Sequence, residues 1–441
     1  MSSSNRVRIA AIEESEYGKV PIAGDFSQLR FTSEALSGTP DTVESEQIRV
    51  DRMSSGQITV GLSNLGGDVN FELAKEALIE KFMASAMMKN WVTPVPVTEL
   101  NLSIDATAQT ITRDSGDWND DISVGDMLVL NGFANEANNV EIMVTAINST
   151  TEIKYTMGAP LVNESYDEWV TDEAYEVGDK VFEDGKIYIC MEDHTSGTFA
   201  TDLAATKWEE ERTLSYKLAD YLTIGTDAIS FSMEKAFLDL EEKGIVYKGM
   251  IVNQMSLAIA YGALITGSFG FVGNDYKVVK QSSDFITDSR TIAIPATSQT
   301  MNGSVDMPFV VSELAGELDK ANFCIQEVGL SINNNNTPKN CIGRITPSSY
   351  TEGQTSIEVN LSSYLSDENW ELLDQKLNQT PFGLGFAVKN SGGFYGFYLP
   401  SVQVSMDDPS SGGRNQDVIL SMSGMAKVGD KGESALKIFR A

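Results

Sequence analysis

The sequence predicts a mainly β protein: a duplicated β-sandwich or barrel with a flanking helix in each copy, plus inserted small β domains. Three observations predict it. Two strands of strict apolar–polar alternation recur far apart, each leading into a helical pattern. Short alternating runs between them are divided by Gly, Asn and Asp turns. Helical periodicity is otherwise scarce.

The elements follow in order. Met1–Ala11 carries two arginines and no apolar run, so it does not read as a signal peptide. Residues 1–25 and the loop around Gly38-Thr-Pro40 are polar and turn-rich, and are expected to be arms that order across neighbouring rings or subunits. In Asp68–Leu73, Val69, Phe71 and Leu73 alternate with Asp68, Asn70 and Glu72. A helix over Glu76–Met88 follows, with Leu78, Phe82 and Met83 on one side. In Ser356–Leu361, Ile357, Val359 and Leu361 alternate with Ser356, Glu358 and Asn360 in the same phase. Ser366 then caps a second helix carrying Trp370, Leu373 and Leu377. A Gly-Gln pair precedes each strand, Gly56-Gln57 and Gly353-Gln354. Two unrelated strand–helix turns would give the same pattern, so the duplication also needs support from length.

Length supplies it. Residues 101–212 differ in texture from the rest. Residues 101–165 read as a small β-barrel or sandwich, and 166–212 as an aromatic-rich module with a tight Asp184-Gly185 hairpin. Taking these 112 residues from 441 leaves 329, or about 165 per copy, an ordinary domain length. The expected order is a first fold over 1–100, the inserts over 101–165 and 166–212, the rest of the first fold over 213–290, and a second fold over 291–441. Ser230–Glu242 is ambiguous between strand and helix. Gly249–Gly273 is uncharged but broken by polar residues and glycines, so it reads as buried strands interrupted at Gly262 and not as a membrane helix.

Composition excludes several functions. The net charge is −31 with only 22% charged residues, which is globular but one-sided. No Lys/Arg cluster offers a grip on phosphates. One histidine, His194, argues against a multi-histidine metal site. Cys190, Cys324 and Cys341 are too far apart for a CxxC motif and read as reduced. The acidic run Asp114–Asp121 lacks calcium-loop spacing and reads as a solvated loop. Gly267–Gly273 lacks phosphate-loop spacing and reads as a closely packed strand. His194 and Cys190 lie four apart, but the thiol sits in an apparent strand. No catalytic constellation, metal site or cofactor site emerges.

The module at 166–212 carries Tyr175, Gly178, Asp179, Val181, Gly185, Lys186, Tyr188, Cys190, His194, Thr195, Ser196 and Trp208. In this pattern it resembles the small carbohydrate-binding module of chitinases and cellulases. The resemblance covers about 45 residues. It departs at Ala204-Ala205-Thr206, where that family usually has a proline before the closing tryptophan. It implies that Trp169, Tyr175, Tyr188 and Trp208 could face a glycan. The alternative, that they simply fill the core of a small module, stays open.

The rest of the chain resembles the tail tube (major tail) proteins of long-tailed, siphovirus-type bacteriophages. The matching stretches include Leu29–Glu34, Ser45–Arg52, Gly67–Leu73, the Val-Gly-Asp and Asn-Gly-Phe run at 124–133, and Phe231–Phe237. Lys248–Val252, Phe397–Pro400, Asn415–Val418 and Ser423–Ala426 continue the order.

The resemblance implies a structural virion protein, not an enzyme. Its inner strands would close into a barrel, and stacked rings would guide double-stranded DNA from capsid to host without holding it. Two folds per chain imply a homotrimeric ring with pseudo-sixfold symmetry, with a homohexamer as the alternative. Assembly in the host bacterial cytoplasm, tape-measure and tail terminator partners and a host-surface glycan are further implications. Asp68, Asn70, Glu72, Ser356, Glu358 and Asn360 are the candidate lumen side, with an outer solvent face as the alternative. Other readings are a different tube or baseplate component, an extracellular carbohydrate-active protein, and a surface-layer, adhesin-type or other surface carbohydrate-binding structural protein.

Overall fold

Alternation sets the architecture, because a strand with one apolar face must bury that face against another layer. The computed structural model describes residues 3–441 apart from 54–55, 99, 297–298, 314–317, 322, 371–372, 374–379, 410–412 and 431. The first half contains β1 (Val7–Glu13), β2 (Phe26–Leu29), β3 (Ser33–Glu34), β4 (Ser37–Glu44), β5 (Gln57–Glu72) and α1 (Ala77–Met87). After the inserted region come β6 (Ser230–Phe237), β7 (Gly244–Ala260) and β8 (Thr266–Val272). The second half contains β9 (Phe309–Ser312), β10 (Asp319–Lys320), β11 (Ile325–Asn333), β12 (Ser356–Tyr364), β13 (Phe382–Asn390), β14 (Gly393–Met406), β15 (Ile419–Ala426) and β16 (Lys437–Arg440).

The halves repeat each other's pairing. In the first, β1 pairs with β2 and β6, β6 with β7, β7 with β8, β8 with β5, and β5 with β3 and β4. In the second, β9 pairs with β10 and β13, β13 with β14, β14 with β15, β15 with β12, and β12 with β11. The registers match as well. Phe71, Gly267 and Leu257 lie side by side across β5–β8–β7, as Val359, Gly424 and Val404 do across β12–β15–β14. Each glycine is needed at the same place: a Cβ on Gly267 would lie 2.5 Å from the Phe71 ring, and one on Gly424 2.6 Å from Val402. Antiparallel pairing of β7 with β11 joins the halves, so one sheet runs β5–β8–β7–β11–β12–β15–β14 through the molecule.

The Glu76–Met88 helix forms as Ala77–Met87, and Phe82 packs edge-on against Phe231, Phe269 and Phe271 at 4.9–5.4 Å. Of the second helix expected from sequence, Ser366, Trp370 and Leu373 are described, while Leu377 and most of the body lie outside the described residues. The uncharged stretch Gly249–Gly273 is β7 and β8 with a turn at Gly262, whose φ is +74°. Ser230–Phe237 resolves as strand.

Two expectations are corrected. Val7–Glu13, placed by its polar surroundings in an arm, is an internal strand between β6 and β2, because Ile9, Ala10 and Ala11 are fully buried. Gly38-Thr-Pro40 is not a loop but lies in β4. Proline has no N–H to donate, and the β4–β5 register shifts beside Pro40.

The inserted region builds three further sheets among the described residues, the smallest a pairing of Ala174–Tyr175 with His194–Thr195. One has six strands, in the order 215–218, 127–131, 141–147, 152–156, 110–113 and 102–105, over a core with Trp118 against Tyr216; strand 215–218, expected in the first fold, belongs to this sheet because Leu214 and Tyr216 are buried in its core. Another has four strands and includes the Asp184-Gly185 hairpin, with φ of +47° and +79° at the turn. The six-stranded sheet docks on the second half through Met127 and Met143, which contact Phe309, Val311, Ala387, Phe394 and Tyr398. Gly396 and Gly385 make room for the two methionines: a Cβ there would lie 1.9 Å from Met127 Sδ or 2.8 Å from Met143 Cε. Asp126–Lys437 at 2.7 Å adds an ion pair.

Candidate functional site

The long sheet has two chemically distinct faces. One buries Val69, Phe71, Leu257, Leu330, Val359 and their neighbours in the main core. The other is polar, and the pairing arranges it in rows. One row runs Ser33, Asn70, Ser268, Ser256, Ser331, Glu358, Met425 and Gln403. The next runs Glu72, Thr266, Ala258, Gly329, Asn360, Ser423 and Ser405. Flanking rows hold Asp68, Gln254, Asn333 and Ser356 on one side and Ala260, Glu327, Ser362 and Ser421 on the other.

All six residues selected from sequence therefore share one face. Asp68, Glu358 and Asn360 are exposed, and Asn70, Glu72 and Ser356 are half-buried. The rows contain Asp68, Glu72, Glu327 and Glu358 and not one Lys or Arg. Hydroxyls and amides bridge adjacent strands: Ser256 and Ser268 hydroxyls lie 2.7 Å apart, and Asn70 Nδ2 donates to Ser33 Oγ at 2.7 Å. Glu327 was missed by sequence reasoning. Its signal is the alternation of Val328, Leu330 and Ile332 with Gly329, Ser331 and Asn333.

In the module, Tyr188 and Trp208 are buried with Val181 and Cys190, while Trp169 and Tyr175 are half-buried beside them. The rings pack on one another: Tyr175 is 5.0 Å from Trp208, and Trp169 is 5.6 Å from Phe199. No described residue accepts a hydrogen bond from the indole nitrogens of Trp169 and Trp208. His194 Nδ1 lies 2.7 Å from the Glu192 carbonyl and 3.7 Å from Cys190 Sγ. A carbonyl accepts only from a protonated nitrogen, so Nδ1 carries the hydrogen and is no base for the thiol. Burial pushes the Cys190 thiol further up. In the acidic loop, Asp117 accepts from Asn119 N at 2.8 Å and Asp121 pairs with Arg113 at 2.6 Å, so both carboxylates serve the local fold. Among the described residues, no group of three His, Cys, Asp or Glu is placed to hold a metal ion, and no helix is long and apolar enough to cross a membrane.

The organised surface among the described residues is thus a broad sheet face, and the fold is that of a mainly β protein. The family model for phage tail tube proteins matches residues 4–426, and the chain belongs to that family. No curated protein sequence matches it.

Proposed function

We propose that the chain polymerises as stacked rings into the tail tube of a siphovirus-type phage, with the polar sheet face lining the lumen through which DNA passes to the host. The observation that carries this reading is the continuous, mostly polar face across both halves, whose rows hold four carboxylates and no cation. Duplex DNA carries one negative charge per roughly 1.7 Å, so a cationic wall would hold it. A weakly acidic wall of serines and amides repels it over a Debye length of about 8 Å and presents no cation in these rows to hold it.

Two equivalent halves per chain favour three copies in a ring with pseudo-sixfold symmetry over six. The inserts occupy the outside, since the six-stranded sheet covers the face of β13 and β14 turned away from the main core. The distal β4–β5 hairpin exposes Val43, Ile48, Val50, Met53, Ile58 and Val60. Apolar side chains so exposed suit contact with the next ring. Assembly takes place in the host cytoplasm, with tape-measure and terminator proteins setting tube length.

Negative-stain microscopy of the purified chain tests the reading. Tubes of uniform diameter with a stain-filled channel are expected, and a persistently monomeric protein would refute it.

A second role concerns the aromatic module. Trp169 and Tyr175, supported from behind by Tyr188 and Trp208, form its partly open aromatic surface and would hold a host-surface glycan loosely. Polysaccharide pull-down by assembled tubes checks this. Retention that survives replacement of Trp169 and Tyr175 by alanine would refute it.

A further inference from the structure

Where the six-stranded sheet docks on the second half, it leaves an open cleft of about 890 Å³ beside the contact. One wall belongs to the inserted sheet, with Val124 just ahead of strand 127–131. The other belongs to the second half: Glu313 after β9, Phe382 at the start of β13, Tyr398 on β14, and Asp430 and Glu433 between β15 and β16. Clefts of this size between domains are common places for small molecules to bind.

The lining is chemically one-sided. It holds three carboxylates, and none of its described residues is Lys or Arg. Among these carboxylates stands Tyr398, only 6% exposed, whose hydroxyl makes no hydrogen bond among the described residues. The Gly125 backbone seats the ring, since a Cβ there would lie 2.1 Å from it. The hydroxyl and the Glu313 carboxylate share one side of Gly383: a Cβ on that glycine would lie 3.3 Å from the first and 3.1 Å from the second. Burial, then Glu313, Glu433 and Asp126, push this hydroxyl well above the ordinary tyrosine value, so it keeps its proton. Its oxygen can still accept a hydrogen bond, and a buried polar group without a partner calls for one.

The spacing selects the kind of cation. Among the described residues no three carboxylates converge closely enough to hold a metal ion. They are instead spread around a cleft much larger than an ion, with Val124 and Phe382 between them. That arrangement matches positive charges spaced along an apolar chain, and an aromatic ring adds attraction for an ammonium group.

We infer that the cleft binds an alkyl polyamine, whose ammonium groups donate to Glu313, Glu433 and the Tyr398 hydroxyl while its methylenes lie on Val124 and Phe382. A ligand so placed touches both walls and ties the inserted sheet to the second half. Lysine side chains of a peptide carry the same chemistry, so the test includes both sources.

Isothermal titration of the full-length protein with spermidine and with trilysine amide tests it. One molecule per chain should bind, and the tighter of the two identifies the source. Glu313→Gln and Glu433→Gln should each weaken binding about tenfold, the effect of losing one charge-assisted hydrogen bond. Tyr398→Phe, which keeps the ring, should weaken it severalfold. A chain of net charge −31 attracts any cation, so Glu168→Gln/Glu176→Gln in the aromatic module serves as the control and should leave affinity unchanged. Hydrogen exchange locates the ligand: amides of both walls, at 122–124 and 382–384, should gain protection. Absence of binding by either amine overturns the proposal. So do an equal loss in the control variant, Mg²⁺ binding as tightly as spermidine, and protection confined to other segments.

Discussion

Asn334 Nδ2 donates to the carbonyl of Ala86 at 2.9 Å, closing the C-terminus of α1 with a side chain from the other half of the molecule. A helix end leaves its last carbonyls without intrahelical partners. Here each finds one: Lys89 N reaches Ala84, Met88 N reaches Ser85, Asn334 reaches Ala86, and Gly225 N reaches Met87. Asn334 is fully buried and also accepts from Thr355 Oγ1 at 3.0 Å, while its backbone N–H donates to Asn253 O at 2.8 Å. Asn334→Leu removes the side-chain bonds and strands buried polar groups. It should cost about 2 kcal/mol, measured by urea denaturation, with little change in the denaturant slope.

Arg440 fixes the last strand in a similar way. Its guanidinium reaches Glu80 Oε2 at 2.5 Å and Asp220 Oδ2 at 3.4 Å, and lies 4.3 Å over the Trp91 ring. Glu80 lies on α1 and is 9% exposed, so it depends on this cation. Breaking such a pair from one side leaves an uncompensated carboxylate. Arg440→Ala should destabilise by on the order of 3 kcal/mol. Arg440→Ala with Glu80→Gln should recover part of that loss, and equal losses for the single and double variants would contradict the argument.

Asp202 makes the module acid-sensitive. Its carboxyl accepts from Gly197 N at 2.7 Å and from Lys207 Nζ at 3.0 Å. The Gly197 hydrogen bond, then Lys207, hold it below the ordinary aspartate value of 3.8. A carboxylate depressed in the folded state contributes stability above its unfolded value and loses it as pH falls through the folded one. Tryptophan fluorescence should therefore report the module loosening only below about pH 4. Asp202→Asn should weaken it at pH 7 and flatten that acid dependence.

Much of this was legible in the sequence, and the reason is local periodicity. Val69, Phe71 and Leu73, like Ile357, Val359 and Leu361, announce strands with one buried face, and the structure gives both sets the same register beside Gly267 and Gly424. The Gly262 turn, the Glu76–Met88 helix and the Asp184-Gly185 hairpin are also short-range signals. Long-range partners are not encoded that way. Nothing near Gln254 points to Asn333, 79 residues on, or leads from Met127 to Gly396. Asn334 lies in a run of four asparagines that reads as a polar turn, yet it is a buried tie. The polar face was half visible: β5 and β12 marked themselves, whereas Glu327 became part of it only once β11 was seen between β7 and β12.

The charge on that face should govern how DNA moves. Asp68, Glu72, Glu327 and Glu358 lie in four successive rows, so on the conduit reading proposed above a passing phosphate would meet carboxylates in these rows and no ammonium. Asp68, Glu327 and Glu358 are exposed and Glu72 is half-buried, so replacing all four by lysine should leave folding and tube formation intact. It changes the face from four negative to four positive charges per chain. Such tubes should retain linear duplex DNA at low salt and release it as salt rises, because each neutralised phosphate frees a counterion. Glutamine and asparagine at the same positions should give tubes that do not retain DNA, since uncharged amides release no counterions. Retention measured across a salt series separates the cases. If the lysine tubes retain no more DNA than wild-type tubes at any salt, the polar face does not line the channel.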